Sequence, residues 1–137
     1  MSPSTLSDIK LHVRFKLSAL WAALTFCYLY GDYLGLYVPG QLQYMLDGGG
    51  PIGPVNQGAL IQVALLLAVP GLMVFLSLVL WPQLCRWLNI VLGAFYAAVM
   101  VYTMTIPGGW WFYLTLGVIE VVLSLLIAWY AWRWPKA

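Results

Sequence analysis

The chain has 137 residues, 64% hydrophobic and 7% charged, with a mean hydropathy of +0.90. A soluble domain carries roughly 25% charged residues, so this composition excludes an ordinary soluble domain and reads as an integral membrane protein. The net charge of +2 is small and dispersed, which argues against nucleic acid as a partner.

Residues 5–14 come first. Leu6, Ile9 and Val13 recur at helical spacing, which suits either a short interfacial helix or a solvated start to the first span. Four apolar segments follow, at about 15–38, 58–80, 87–106 and 110–132. Each holds ~20 residues or more, enough to cross a ~30 Å hydrocarbon core at 1.5 Å per residue. A span must satisfy its own backbone polar groups, and no alternating barrel strands are visible, so helix is expected. The fold class is therefore all-α: a four-transmembrane-helix bundle forming a single domain over 1–137. The first run exceeds the roughly 7–15 residues of a signal-peptide core, and no small-x-small cleavage site follows it, so it is expected to remain as a span.

Breakers separate the segments. Pro39-Gly40 ends the first, and "DGGGPIGPVNQG" (47–58) fills most of an outer loop at 39–57, expected to be flexible or a lid. Trp81-Pro82 closes the second, and Pro107-Gly108-Gly109 precedes the fourth. Pro70 lies inside the second segment, where a kink is expected. Cys27 lies in an apolar run and Cys85 reads as part of a short connection. With no CxxC pair, a disulfide framework or thiol redox motif is not expected.

All six basic residues fall on one side. Lys10, Arg14 and Lys16 precede the first span, Arg86 follows the second, and Arg133 and Lys136 follow the fourth. The positive-inside rule makes that side cytoplasmic. The expected location is the cell's inner (plasma) membrane, with both termini cytoplasmic.

At a 3.6-residue period the polar residues form seams. Ser18, Ala22, Thr25, Asp32 and Gly35 share a face of the first span, beside Trp21 and Tyr28. Gln62, Val69, Met73 and Ser77 make a plausible face of the second. Asn89, Gly93, Tyr96, Met100 and Thr103 line the third. Tyr113, Gly117, Glu120, Ser124, Ala128 and Ala131 line the fourth. Small and weakly polar residues allow close helix contact in lipid.

Two carboxylates stand apart from plain packing. Glu120 is about ten residues from either end of its span, where an ionised side chain costs about 2.5–3.5 kcal/mol on insertion scales. It is expected to be protonated or paired at neutral pH. Asp32 lies nearer the outer end, at a depth about 6 Å from that of Glu120. If the seams converge, the two share one cavity that opens outward. The ligand- or proton-binding candidates are Glu120, Asp32, Tyr28, Tyr96, Tyr113, Asn89 and Ser124. A structural role, hydrogen bonding across the bundle, is the competing explanation for each. The tyrosines around Asp32 and the tryptophans at the segment ends also suit interfacial belts.

No catalytic or metal set is expected. His12 is the lone histidine and makes no metal site. No Ser/His/Asp nucleophile set lies in the spans, and haem lacks an axial histidine within the bundle. The expectation leans towards a non-enzyme without a cofactor, with quinone left open.

The stretches "DIKLHVRFKLSALWAALTFCYLYGDY" (8–33), "PGLMVFLSLVLWPQLCRWLNIVLG" (70–93) and "GVIEVVLSLLIAWYAWRWP" (117–135) together resemble a family of small, uncharacterised bacterial four-helix membrane proteins, similar to the DoxX-like group. The resemblance covers most of the chain. It implies a four-helix membrane fold and permits a link to quinone-dependent sulfur oxidation, but it carries no catalytic motif onto numbered positions.

Three functions are open. The first is binding, or proton-linked transport, of a lipophilic or amine-bearing small molecule in an intramembrane cavity lined by Asp32 and Glu120. The second is an accessory subunit in a larger membrane complex. The third is a quinone-linked redox subunit. The partners expected are the lipid bilayer, a lipophilic small molecule, and either a second copy or a larger complex.

Overall fold

The computed structural model describes residues 5–136; the expected domain bounds at residues 1–4 and 137 lie outside the described residues. Five helices and one minimal strand pair make up the chain: α1 (Val13–Gly35), α2 (Gln41–Leu46), β1 (Gly49–Gly50), β2 (Gly53–Pro54), α3 (Gln57–Val79), α4 (Pro82–Met104) and α5 (Trp111–Trp132). The chain is all-helical in character. α3, α4 and α5 are each long and apolar enough to cross a membrane. α1 matches them in length at 23 residues. It falls outside that group because it carries Arg14, Lys16 and Asp32 and a tyrosine-rich last third.

The helix starts have local causes. α1 begins where the His12 side chain accepts the Arg14 N–H at 3.3 Å, so an orphan donor of the first turn is met. Residues 5–12 are not helical, and Leu6 and Ile9 are exposed. The interfacial helix that their spacing allowed is thus not formed. Asn56 caps α3 by accepting from the Ala59 N–H at 2.8 Å. α4 starts at Pro82, five residues earlier than its apolar run suggested, because proline is pre-set for the first helical position. This earlier start corrects the placement of Cys85, which is a buried residue of α4 and not part of a connection.

The long helices alternate in direction, and α1 is the central one. It packs on α3 and α5, α5 packs on α4, and α3 barely touches α4 although it precedes it in sequence. Leu17, Trp21 and Leu24 of α1 are fully buried, with Met73 and Ile127 facing the same core. The buried faces of α4 (Asn89, Gly93, Tyr96, Met100) and α5 (Gly117, Glu120, Ser124, Ala131) follow the polar seams. α3 differs: Pro70, Met73 and Ser77 are buried, whereas Gln62 is exposed and no residue of its first half, 57–69, is buried.

Close crossing of α4 and α5 depends on glycine. A Cβ on Gly93 would lie 2.9 Å from the Ser124 carbonyl oxygen and 3.0 Å from the Ala128 nitrogen, both backbone atoms. At Gly117 the same space is filled by the Met100 and Met104 side chains. Backbone proximity of this kind is how helices pack without a water-driven force between them.

Arginines close the helix ends at one pole of the bundle. The last four carbonyls of a helix lack intrahelical donors, and a cation there also meets the favourable end of the helix dipole. Arg14 donates to the Leu80, Leu78 and Ser77 carbonyls at the end of α3, at 2.5, 3.3 and 3.4 Å. Arg86 does the same for Ala131 and Trp132 at the end of α5, at 3.2 and 3.3 Å. At this pole Arg14 also lies over Trp134, Lys16 over Tyr130, Arg86 over Trp132 and Arg133 over Trp129.

The 39–57 connection contains local structure. α2 and the β1–β2 hairpin occupy it, with Gly49 opposite Pro54 and Gly50 opposite Gly53. Gly53 has φ +120°, which a side chain rarely tolerates. No residue of α2 is buried.

α3 runs through Pro70 as one helix. Proline has no N–H, so the Leu66 carbonyl four residues back loses its helical donor. The Tyr96 hydroxyl supplies one across the bundle, at 2.6 Å. Tyr96→Phe is therefore expected to cost about 1–2 kcal/mol. In a Pro70→Ala background, where residue 70 regains its N–H, that cost should fall to within about 0.5 kcal/mol of zero. Thermal unfolding of the four proteins of this cycle measures the difference, and equal costs in both backgrounds would rule out the pairing.

Candidate functional site

Two polar centres lie within the bundle. The first is towards the arginine-capped pole. The Trp21 indole N–H donates to Asn89 Oδ1 at 2.7 Å, and the Ser77 hydroxyl donates to the same oxygen at 3.4 Å. Asn89 Nδ2 donates to the Cys85 carbonyl at 2.7 Å, and the Cys85 thiol to the Ser77 carbonyl at 3.4 Å. All four side chains are buried. The amide of Asn89 is used on both its donor and acceptor sides, so this centre joins α1, α3 and α4 as a structural network.

The second centre is a cavity of about 150 Å³. Every long helix contributes to it: Tyr28, Gly31 and Asp32 from α1, Leu66 and Leu67 from α3, Tyr96, Val99, Met100 and Thr103 from α4, and Tyr113, Leu116 and Glu120 from α5. Its walls are mostly apolar, with two carboxyls and a few hydroxyls, the usual make-up of a small-molecule site. A larger depression of about 300 Å³ between α4 and α5 has only Val101, Met104, Thr105, Val118, Val121 and Val122 around it. It holds no ionisable group, so the smaller cavity is the chemical candidate.

Five of the seven sequence candidates meet at this cavity: Tyr28, Asp32, Tyr96, Tyr113 and Glu120. Asn89 does not, because it lies seven residues, about 10 Å along the helix, towards the other pole and belongs to the first centre. Ser124 lies one turn from Glu120 and is fully buried, but it does not line the cavity. Its hydroxyl has no hydrogen-bond partner among the described residues. The lining residues that sequence reasoning did not single out are Gly31, Leu66, Leu67, Val99 and Leu116. A leucine within an apolar run has no mark that separates a cavity wall from a lipid-facing surface, so no signal was available for those.

Glu120 is 3% exposed. A methyl group on Gly31 would stand 4.0 Å from its Oε1 and 3.7 Å from Leu116 Cδ1, so the carboxyl lies against the bare backbone of α1, next to Asp32. Asp32 itself is exposed, at the cavity mouth. The interior side-chain hydrogen bonds run through Ser18, Trp21, Thr25, Ser77, Cys85, Asn89, Tyr96 and Thr103. None among the described residues reaches Glu120 or Asp32. Arg14, Lys16, Arg86 and Arg133 are engaged at the far pole with carbonyls or aromatic rings. A buried carboxyl with neither donor nor counter-charge is costly, and its cavity is the one place where a partner can enter.

Aromatic rings form one wall. Tyr96 packs edge-on to Trp21 at 5.9 Å and tilted to Tyr28 at 6.2 Å between centroids. Its hydroxyl is held by the Leu66 carbonyl, so the ring position is fixed. The Thr103 hydroxyl donates to the Met100 carbonyl at 2.9 Å, which leaves its lone pairs free to accept.

The chain belongs to a family of unknown function (DUF6326), whose family model matches residues 8–137. No curated protein and no solved structure gives a significant match.

If Glu120 held the helices together, its loss would weaken the fold. Its lack of protein partners predicts the reverse. Glu120→Met, close in volume and without the polar group, is expected to leave stability unchanged or raise it by about 1–2 kcal/mol. Chemical unfolding in detergent reads this directly, and a clear loss of stability would assign the carboxyl a structural role.

Proposed function

We propose that this chain is a four-span inner-membrane protein that binds a lipophilic or amine-bearing small molecule in the cavity around Glu120 and Asp32. The observation that carries the reading is Glu120, 3% exposed, without a described hydrogen-bond partner, and lining a cavity to which all four long helices contribute. Natural chains retain a costly buried polar group where it serves a site. Proton-linked movement of the ligand is an extension of the same reading, with Glu120 as the group that exchanges a proton for the bound molecule.

The membrane setting draws on α3, α4 and α5, whose length and hydropathy suit a bilayer. α1 serves as the fourth span: it is as long as its neighbours, and α3 and α5 pack against its charge-free middle while Phe26 and Leu29 face outward. The basic residues gathered with tryptophans at one pole support a cytoplasmic assignment for that pole and for both termini. An accessory-subunit role would use the exposed helix faces but gives Glu120 no task. The quinone-linked role that the DoxX-like resemblance permits rests on helix order and has no numbered residue to carry it.

Two measurements test these statements. A fluorescent reporter fused after Ala137, of a kind that matures only in the cytoplasm, is expected to be bright, and a dark fusion would reverse the topology. Native mass spectrometry of protein released from its own membrane is expected to show a bound organic molecule, reduced about tenfold or more in Glu120→Gln. That variant keeps shape and much of the hydrogen bonding but removes the ionisable proton. Equal retention by both proteins would remove Glu120 from the site.

A further inference from the structure

We infer that the ligand is an alkylammonium amphiphile that reaches the cavity sideways from the bilayer, between the outer halves of α3 and α4. The assignment rests on the cavity being a ligand site, and it adds the charge, the shape and the route of the ligand.

The charge follows from the acceptors. Glu120 and Asp32 face one small space with no basic side chain at their pole among the described residues. The Thr103 oxygen is also free to accept, because its proton is directed at the Met100 carbonyl. A primary ammonium has three donors and no acceptor, which suits three acceptors with few competing donors. A metal cation such as Ca²⁺ draws on carboxylates, carbonyls and waters, whereas beyond the two carboxyls these walls offer hydroxyls and hydrocarbon, and no group of three or more His, Cys, Asp or Glu suited to a metal occurs among the described residues. The tilted Tyr28 and Tyr96 rings add faces on which a desolvated cation is stabilised.

The shape follows from the volume. A space of about 150 Å³ is the size that holds a benzene-sized molecule. A head group and a few carbons fill it, so a longer tail must leave through an opening.

The opening is where α3 and α4 fail to pack. These helices barely touch, and nothing in 57–69 is buried. Leu66 and Leu67, the α3 residues of the cavity wall, are 37% and 39% exposed. Their other side therefore faces outward, towards the bilayer in the proposed setting. The Tyr96 hydroxyl on the Leu66 carbonyl ties α3 to α4 at the inner edge of this gap. A tail lying across Leu66 and Leu67 stays in hydrocarbon while the head meets Glu120.

The test compares a short and a long amine in phosphatidylcholine nanodiscs, with empty nanodiscs subtracted. Butylammonium and dodecylammonium are expected to bind the wild-type protein, and Glu120→Gln to weaken both by about tenfold or more. Leu67→Trp narrows the gap without touching the carboxyls. Because Leu67 also lines the cavity, both amines are expected to weaken, dodecylammonium by at least about fivefold more than butylammonium, with Leu67→Phe intermediate. An equal effect of Leu67→Trp on both amines, or no effect on either, overturns the lateral route. If neither amine binds while a neutral co-purified molecule is lost in Glu120→Gln, the ammonium assignment falls and the ligand-site reading stands. If Glu120→Gln changes nothing for any of these molecules, both fall.

Discussion

A backbone carbonyl removed from water needs a donor from the protein, and in this chain that demand organises the bundle. Three sets of carbonyls without helical partners find a donor on a neighbouring helix: the ends of α3 and α5, and Leu66 opposite Pro70. Each is met from a different helix. Arg14 of α1 closes α3, Arg86 of α4 closes α5, and Tyr96 of α4 reaches Leu66. The same bonds therefore satisfy the backbone and fix how the helices stand against one another. In a lipid setting, where apolar burial adds little drive between helices, polar bonds of this kind carry more of the specificity.

The division of the bundle into two halves follows. Towards the arginine pole, the Trp21–Asn89–Ser77–Cys85 network is buried beside Leu17, Leu24, Met73 and Ile127 and bonds one helix to the next. Away from that pole, α3 and α4 barely touch and the helices enclose a cavity. The carboxyl of Glu120 lies at the boundary, buried by the packed half and open only to the cavity. A rigid half that positions an unpartnered group, next to a looser half that admits a molecule, is a workable arrangement for a binding site.

Glycine and methionine set the fine dimensions. Gly93 lets α5 backbone atoms come within what would be Cβ contact, which brings the Glu120 stripe against α4. Gly31 leaves room beside the Glu120 carboxyl on the α1 side. Met100 and Met104 fill the space over Gly117 with flexible side chains, which adapt to small shifts of α5. The site thus owes its size as much to missing side chains as to those present.

The helices, the one-sided basic residues and the buried faces of α4 and α5 were legible in the sequence, because each follows from composition or from a 3.6-residue period that acts locally. Asn89, Tyr96, Gly117, Glu120 and Ser124 fell on buried faces for that reason. Other features could not be read there. Asn89 and Tyr96 share one stripe, yet one closes a structural network and the other holds a proline-freed carbonyl and lines a cavity. Which of these a polar residue does depends on what the opposite helix presents at its depth. The same limit applies to Leu66 and Leu67, indistinguishable by type from their outward-facing neighbours, and to Gln62, which is exposed because no helix covers its face. The sequence by itself determined that a carboxyl would sit inside an apolar helix, since residue type and span length suffice for that. Only the tertiary structure decided that this carboxyl meets a cavity and not a donor, because that depends on the relative placement of four helices, which no local pattern encodes.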